Sequence, residues 1–117
     1  MEIKRIKVNN NEYVFINNFV SNRSGFRHET RLFKNDYEIG KYSCQYYNRT
    51  WESYTYQSVM LGCVNSIIEE RKRDFVDSYK RENNITRLLK SKREIVEKEF
   101  LELEDIKELQ TVYKELQ

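Results

Sequence analysis

Short runs rich in β-branched and aromatic residues, each bounded by turn residues, occupy the first half of the chain. Four such runs are visible in the sequence, at residues 2–8, 12–20, 26–33 and 39–47. The turns between them are rich in Asn, Ser, Gly and Asp, at Asn9–Asn11, Ser21–Gly25 and Asn35–Asp36. Asn tolerates the left-handed backbone angles that tight hairpins need. The pattern therefore predicts a four-stranded antiparallel meander.

Polar and apolar residues alternate cleanly in the third run, "FRHETRLF". Because side chains alternate across a strand, one face receives Phe26, His28, Thr30 and Leu32, and the other Arg27, Glu29 and Arg31. In the fourth run, the residues that share one face are Tyr42, Cys44 and Tyr46. A sheet with one apolar face requires a cover, and we expect the rest of the chain to supply it.

The spacing of apolar residues becomes helical from about Trp51. These positions then recur at intervals of three and four, at Tyr56, Met60, Cys63, Val64, Ile67, Ile68, Phe75 and Tyr79. Asn48 or Thr50 is suited to cap the start of this helix. Gly62 lies inside it, at a cost of about 1 kcal/mol relative to Ala, which indicates that another element crosses closely there.

A second helix is predicted after the polar stretch "RENN" (Arg81–Asn84), with Asn84 as its N-cap. Its apolar stripe continues for about nine turns at 3.6 residues per turn. The stripe consists of Ile85, Leu88, Leu89, Val96, Phe100, Leu103, Ile106, Tyr113 and Leu116. Such a helix is too long to lie entirely on a four-stranded sheet. We expect its first part to pack on the first helix as an antiparallel hairpin and its distal part to project or to pair with another copy.

These elements define an α+β chain with the order β-β-β-β-α-α. Its 117 residues suffice for one domain, with a sheet at residues 1–47 and a helical hairpin at residues 48–117. Charged residues make up 34% of the chain, but the aromatic share of 14% argues against disorder. No apolar run approaches the roughly 20 residues that span a bilayer. The start of the chain lacks a signal-peptide pattern, so a cytoplasmic location is predicted.

Charge is distributed unevenly along the chain, although the total is only +2. Residues 1–50 carry nine Lys or Arg and five Asp or Glu, which gives +4. Residues 71–93 carry nine and three, which gives +6, and residues 94–117 carry three and eight, which gives −5. The predicted helical hairpin thus has a basic bend and an acidic end.

Residues suited to an enzymatic or metal-binding site are sparse. His28 is the lone histidine, and Cys44 and Cys63 lack CxxC spacing, so the ligands for a zinc site are too few. No phosphate-binding loop, dinucleotide-binding motif or HExxH motif occurs. The carboxylates of the last helix stand three and four residues from lysines, which is typical of a solvated face. The sequence predicts a protein that is not an enzyme and needs no metal or cofactor.

Basic residues interleaved with aromatic residues on the sheet favour single-stranded nucleic acid as one candidate ligand. Phosphate contacts and base stacking require this combination, and the residues that offer it are Arg27, Arg31, Lys41, Tyr42 and Tyr46. The cluster "RKR" (Arg71–Arg73) adds further cations. The alternative interpretation is that the cations only solubilise the surface and the tyrosines belong to the core. The near-neutral total favours that alternative.

A protein partner is the second candidate ligand. The acidic last helix offers Glu97, Glu102, Glu104 and Asp105, which suit a basic groove on a nucleic-acid-binding enzyme. Such a surface accelerates association by electrostatic steering. The alternative is again a solvated helix face. A third possibility is an assembly protein that forms a homodimer through its long last helix.

The stretch "YYNRTWESYTYQSVM" (Tyr46–Met60) resembles a segment of small proteins from phages and mobile elements. In these proteins a strand rich in aromatic residues leads into "NRTWE" and then into a helix with a "YQSV"-like turn. The resemblance covers about residues 34–68, and several proteins of this general kind resemble anti-CRISPR proteins. It implies stoichiometric inhibition of a CRISPR effector nuclease, most plausibly Cas9 or its guide-RNA complex, in a bacterial host cell.

Within this motif the candidate contact residues are Arg49, Trp51, Glu52 and Tyr54. Inhibition would follow from occupation of a surface that the effector needs for DNA or guide RNA. A protein that mimics DNA over its whole surface is not predicted, because the chain carries +2. The alternative function is a single-stranded nucleic-acid-binding accessory or regulatory protein of a mobile element.

Overall fold

Four antiparallel strands form one sheet in the computed structural model, which describes residues 1–23, 25–46 and 55–117. The strands follow one another across the sheet in chain order, as β1 (Glu2–Val8), β2 (Asn11–Asn22), β3 (Gly25–Lys34) and β4 (Tyr37–Tyr46). The predicted α+β class and the antiparallel meander are therefore confirmed. Each strand boundary lies within two residues of its predicted position.

Asparagine and aspartate shape two of the hairpin turns, as predicted. Asn9 follows β1 with φ of 55°, and Asn35 and Asp36 join β3 to β4 with φ of 48° and 71°. Two successive residues with positive φ form the type I′ turn that matches the twist of a hairpin. The Asn35 side chain also accepts a hydrogen bond from the backbone N–H of Glu12, at 2.9 Å, so this turn is tied to β2.

One face of the sheet, the covered face, packs against the helices. Tyr13, Phe15 and Leu32 on this face are fully buried. They lie in register across the strands, with Ile6 opposite Tyr13 and Phe15 opposite Leu32. His28 and Thr30 are also buried here, which confirms the predicted inward face of the third strand.

The first helix, α1 (Tyr56–Glu82), begins later than predicted. Its N-cap is Thr55, whose hydroxyl accepts a hydrogen bond from the Ser58 N–H at 3.2 Å, while the Ser58 hydroxyl accepts one from the Thr55 N–H at 2.9 Å. This reciprocal pair is a capping box and satisfies two donors at the start of the helix. Asn48 and Thr50 are therefore not its cap, and both lie outside the described residues.

The α1 helix ends at a left-handed asparagine. Asn84 has φ of 53°, the Ile85 N–H donates to the Lys80 carbonyl, and the Asn84 N–H donates to the Arg81 carbonyl. These bonds form a Schellman motif, in which Asn replaces the more usual Gly. The prediction that this stretch ends the helix is confirmed. The prediction that Asn84 starts the next helix is wrong, because the left-handed conformation ends α1 instead.

Two short helices replace the single long one that the sequence predicts. They are α2 (Lys90–Leu101) and α3 (Glu104–Leu116), separated by Leu103 in an extended conformation, with φ of −64° and ψ of 137°. The break lets α3 turn back, so that Ile106 and Val112 are buried in the same core as Phe15. Burial in the core outweighs the continuous helix that the local sequence favours.

The distal helix therefore does not project. Its buried residues are Ile106, Glu108, Leu109, Val112 and Leu116. The part of the predicted apolar stripe that lies on α3 is thus packed within the chain, and a homodimer stays a prediction.

The helical glycine marks a close crossing, as predicted. A Cβ atom built at Gly62 would overlap the aromatic ring of Tyr42 on β4 and would lie 2.9 Å from its Cζ atom. A Cβ atom at Gly40 on β4 would likewise overlap the Ile67 side chain on α1. The two glycines bring α1 close to the edge strand of the sheet.

Candidate binding face on the open side of the sheet

The second face of the sheet, the open face, points away from the helices. Alternation along the strands assigns its side chains, because they stand between the buried positions of the covered face. The open face consists of Ile3, Arg5, Lys7, Glu12, Val14, Ile16, Asn18, Val20, Arg27, Glu29, Arg31, Phe33, Glu38, Lys41, Ser43 and Gln45.

Apolar residues run across the centre of this face instead of being confined to the core. Ile3 pairs with Ile16 across β1 and β2, and Val14 pairs with Phe33 across β2 and β3. Ile3 is 46% exposed, and the other three are half-buried. A contiguous apolar strip on an exposed sheet is typical of an interaction surface.

Arg31 is fixed in position beside this strip. Its Nε and Nη2 atoms donate to the two carboxylate oxygens of Glu38, at 3.0 and 2.8 Å. Its guanidinium also lies 5.3 Å from the centre of the Phe33 ring, within the range of a cation–π contact. The hydrogen bond to Arg31 lowers the pKa of Glu38 and raises the pKa of Arg31. A planar guanidinium held in this way has a defined orientation on the open face.

A shallow depression of about 550 Å³ lies on the open face beside the apolar strip. Its lining residues are Ile16, Asn18, Arg27, Glu29, Thr30, Arg31, Lys41, Tyr42 and Ser43. Three of these residues are cationic and one is anionic, so the lining carries +2. Arg27 Nε lies 3.2 Å from the Glu29 carboxylate. The depression is thus a basic site with an apolar edge.

The structure brings together only part of the predicted nucleic-acid site. Arg27, Arg31 and Lys41 lie on the open face, with Arg31 directly opposite Lys41. The ring of Tyr42 points to the covered face, where it meets Gly62. The side chain of Tyr46 lies outside the described part of the structure. The described aromatic ring beside these cations is therefore Phe33, not a tyrosine.

The four predicted acidic contact residues do not form one stripe, because the helix breaks between them. Glu97 lies on α2, where it pairs with Arg93 at 3.4 Å. Glu102 pairs with Lys107 at 3.2 Å, and Asp105 pairs with Arg71 on α1. Glu104 lies in the first turn of α3. Three of the four carboxylates thus already have a cation from the same chain.

The four candidates within the "NRTWE" motif fall in a stretch that the structure does not describe. Arg49, Trp51, Glu52 and Tyr54 lie between the end of β4 and Thr55. Their roles stay predictions from the resemblance.

Sequence reasoning missed a polar network that joins the sheet to α3. Glu108 is only 9% exposed and accepts hydrogen bonds from Asn11 Nδ2 at 2.8 Å and from the Tyr13 hydroxyl at 2.9 Å. Asn35 Nδ2 extends the network by donating to Asn11 Oδ1, at 2.7 Å. The available signal was the position of Glu108 one turn before Val112, on the apolar side of α3.

Burial and hydrogen bonding oppose each other at Glu108. Desolvation alone would raise the pKa of this carboxyl, but hydrogen bonds from Asn11, Tyr13 and Asn9 hold it below its usual value. Burial, together with the bond to Glu108, raises the pKa of the Tyr13 hydroxyl well above its usual range. The network therefore contains a carboxylate and a neutral phenol, and its role is to dock α3 on the sheet.

No family model, curated protein or solved structure matches the chain. Within residues 1–23, 25–46 and 55–117, His, Cys, Asp and Glu form no group of three or more that could hold a metal ion. None of the helices described above has the length and apolar character needed to cross a membrane.

Proposed function

We propose that the protein is a non-enzymatic binding protein that recognises a partner protein through the open face of its sheet. The observation that carries the proposal is the apolar strip of Ile3, Val14, Ile16 and Phe33, left uncovered by the helices and bordered by a fixed arginine. Arginine and aromatic residues around an apolar centre are typical of protein interfaces.

The partner that we propose is a CRISPR effector nuclease, with Cas9 as the first candidate. This step depends on the resemblance of Tyr46–Met60 to anti-CRISPR proteins. An inhibitor of this kind needs no catalytic residues, since it acts by occupying a surface that the effector requires for nucleic acid.

The pairing of the acidic residues favours occlusion over charge mimicry. Glu97, Glu102 and Asp105 each have a cation of the same chain within 4.0 Å. Carboxylates that are already paired attract a basic groove less strongly than free ones do. The open face is therefore the better candidate for the main contact.

Single-stranded nucleic acid is the second candidate ligand, because Arg27, Arg31 and Lys41 gather on the open face. Two observations weigh against it. Arg27 and Arg31 have carboxylate partners, Glu29 and Glu38. Base stacking needs exposed aromatic platforms, whereas the Tyr42 ring is on the covered face.

A cleavage assay with purified Cas9 orthologues and rising amounts of the protein tests the proposal. Ile16→Glu should abolish inhibition, because it places a charge in the centre of the apolar strip. Ile95→Glu is the matched control, since Ile95 is 53% exposed on α2, away from the open face. Both variants should remain folded by circular dichroism.

Lack of inhibition across a broad panel, with no co-migration on a sizing column, would eliminate the effector proposal. A gel shift with single-stranded DNA or RNA at low salt separates the second candidate, because phosphate contacts weaken steeply as salt rises. Equal loss of inhibition in Ile16→Glu and Ile95→Glu would argue against the open face as the contact surface.

A further inference from the structure

We infer that the depression on the open face receives an acidic side chain of the partner protein, presented between apolar residues. This inference rests on the proposed role of the open face in protein binding and names the chemistry that the face recognises. The occupant is a protein carboxylate from Asp or Glu, and apolar neighbours of that residue would lie on the strip of Ile3 and Ile16.

The charges of the lining favour an anion: with Glu38 at its border included, the depression carries +1. Arg27, Arg31 and Lys41 provide three positive charges against the single negative charge of Glu29. Glu38 compensates Arg31 from the border of the depression, at 2.8 Å. Lys41 lowers the pKa of Glu38 by its charge, yet no carboxylate of the described chain lies within the 4.0 Å of an ion pair with its ammonium. Lys41 is therefore the cation with the most to gain from an incoming carboxylate.

The pairing of Arg27 leaves its guanidinium available from the depression. Its Nε atom lies 3.2 Å from a Glu29 carboxylate oxygen but makes no well-aligned hydrogen bond in the described part of the protein. The Arg27 side chain is 41% exposed and lines the depression. A carboxylate that enters the depression can therefore accept a hydrogen bond from this guanidinium.

The neutral lining residues suit a side chain from a protein. Asn18 and Ser43 both lie opposite Glu29 in the sheet and offer donors between the cations. Ile16 forms an apolar edge that continues to Ile3. A phosphate backbone would gain nothing from this edge, whereas the aliphatic neighbours of a Glu residue would bury it. The surroundings therefore favour a protein carboxylate over a phosphate.

An NMR titration of the ¹⁵N-labelled protein tests the inference without any effector. The probe is the peptide acetyl-Val-Glu-Val-amide, and its matched control is acetyl-Val-Gln-Val-amide, which has the same shape without the charge. We expect saturable shifts at the backbone amides of Asn18, Arg27, Lys41 and Ser43 with the Glu peptide. Binding of the Gln peptide should be about tenfold weaker, since a charge-assisted contact is lost.

Lys41→Gln should weaken binding of the Glu peptide several-fold. Lys7→Gln, on the same face but outside the depression, should leave it unchanged. Equal binding of the two peptides, or shifts that avoid the depression, would overturn the inference. Tighter binding of an oligothymidine at the same amides would assign the depression to nucleic acid, and self-association that shifts the same amides would assign it to a second copy.

The two proposals can fail separately. Peptide binding without inhibition of any Cas9 would retain the acidic site and reject the effector. Inhibition that survives in Lys41→Gln, with no peptide binding, would retain the effector and reject the acidic site.

Discussion

The two faces of the sheet are built from the same strands but differ in how deeply their side chains are buried. On the covered face, Tyr13 and Phe15 are fully buried. On the open face, their neighbours Val14 and Ile16 are equally apolar in type but only half-buried. Four successive apolar residues on β2 therefore serve two purposes, because only one side of the strand meets the helices. The apolar residues left on the other side are the observation behind the proposed binding surface.

Polar groups on the two faces differ in the same way. Asn17 on the covered face is fully buried and donates to the Met60 sulfur at 3.5 Å, and Glu108 is held by Asn11 and Tyr13. The Arg27–Glu29 and Arg31–Glu38 pairs of the open face are solvent-accessible, so water and a partner can compete for them. The polar groups of the covered face thus contribute to the fold, whereas those of the open face remain accessible to solvent.

The largest expected contrast between the faces comes from adjacent residues on β2. Phe15→Ala should lower the free energy of unfolding by about 3–5 kcal/mol, because it leaves a cavity in the core. Ile16→Ala, one residue along, should cost less than about 1 kcal/mol, since its side chain is only half-buried. Urea denaturation monitored by circular dichroism gives both values. Equal losses would mean that the open face is covered in solution.

This contrast was partly predictable from the sequence. Alternation in the third strand assigns His28, Thr30 and Leu32 to the core, and the asparagine-rich turns define the hairpins. The continuous run of Tyr13 to Ile16 does not say which face is buried, because both faces are apolar there. Only the position of the helices decides this. The open face and its depression can therefore be recognised from the three-dimensional structure but not from the sequence.

The helices were harder to predict, for a physical reason. The break at Leu103 has no Gly or Pro to announce it, and the surrounding residues favour a continuous helix. What selects the break is the burial of Ile106 and Val112 against the sheet, a contact between residues far apart in sequence. The sequence marks Asn84 as a helix boundary, but Asn is favourable both as an N-cap and in the left-handed conformation that ends a helix.

The next largest effect concerns the attachment of α3 to the covered face. Tyr13→Phe removes the hydroxyl that donates to Glu108 and should cost about 1–3 kcal/mol, because the acceptor is a buried carboxylate. Urea denaturation measures the loss. Tyr37→Phe is the matched control and should be neutral, since Tyr37 is 78% exposed. A neutral Tyr13→Phe variant would show that the remaining donors, Asn11 and Asn9, suffice to hold Glu108.

The same network should make stability depend on acid. The pKa of Glu108 is lowered in the folded state, because its hydrogen bonds outweigh the effect of burial. Its contribution is therefore complete above the unfolded value of about 4.3 and is lost as pH falls through the folded pKa. Asp105, whose pKa is held low by Arg71 against the effect of burial, adds a loss of the same sign.

Glu108→Gln should flatten the acid limb of a plot of unfolding free energy against pH, and exposed Glu115→Gln should leave it unchanged. Burial lowers the pKa of His28, so protonation favours the unfolded state. For this reason stability begins to fall as pH drops below about 6.5, a window separate from that of Glu108. An unaltered slope below pH 4.3 in Glu108→Gln would contradict the role given to the network.

A smaller effect is expected where α1 crosses β4. Gly→Ala inside a helix normally stabilises it by about 1 kcal/mol. Gly62→Ala should instead destabilise the protein by about 1 kcal/mol or more, because the new Cβ atom overlaps the Tyr42 ring and packing strain costs about 1–3 kcal/mol. In a Tyr42→Ala background the overlap is gone, so adding Gly62→Ala should there raise the free energy of unfolding, as it does in an ordinary helix. Thermal denaturation of the single and double variants tests this, and a stabilised single variant would mean that the ring moves aside freely.

The smallest effect on stability, and the sharpest test of the open face, is expected from Glu38→Gln. This change removes the carboxylate that fixes and neutralises Arg31, on a pair that is open to solvent. The midpoint of urea denaturation should stay within experimental error, because exposed ion pairs contribute little to folding.

The same variant should change peptide binding. The net charge around the depression rises by one, so acetyl-Val-Glu-Val-amide should bind several-fold more tightly by NMR titration. If Glu38 instead serves mainly to orient Arg31 for the partner, the same variant will bind the peptide more weakly. The sign of the change therefore distinguishes a depression that attracts a carboxylate by its total charge from one that depends on the geometry of a single guanidinium.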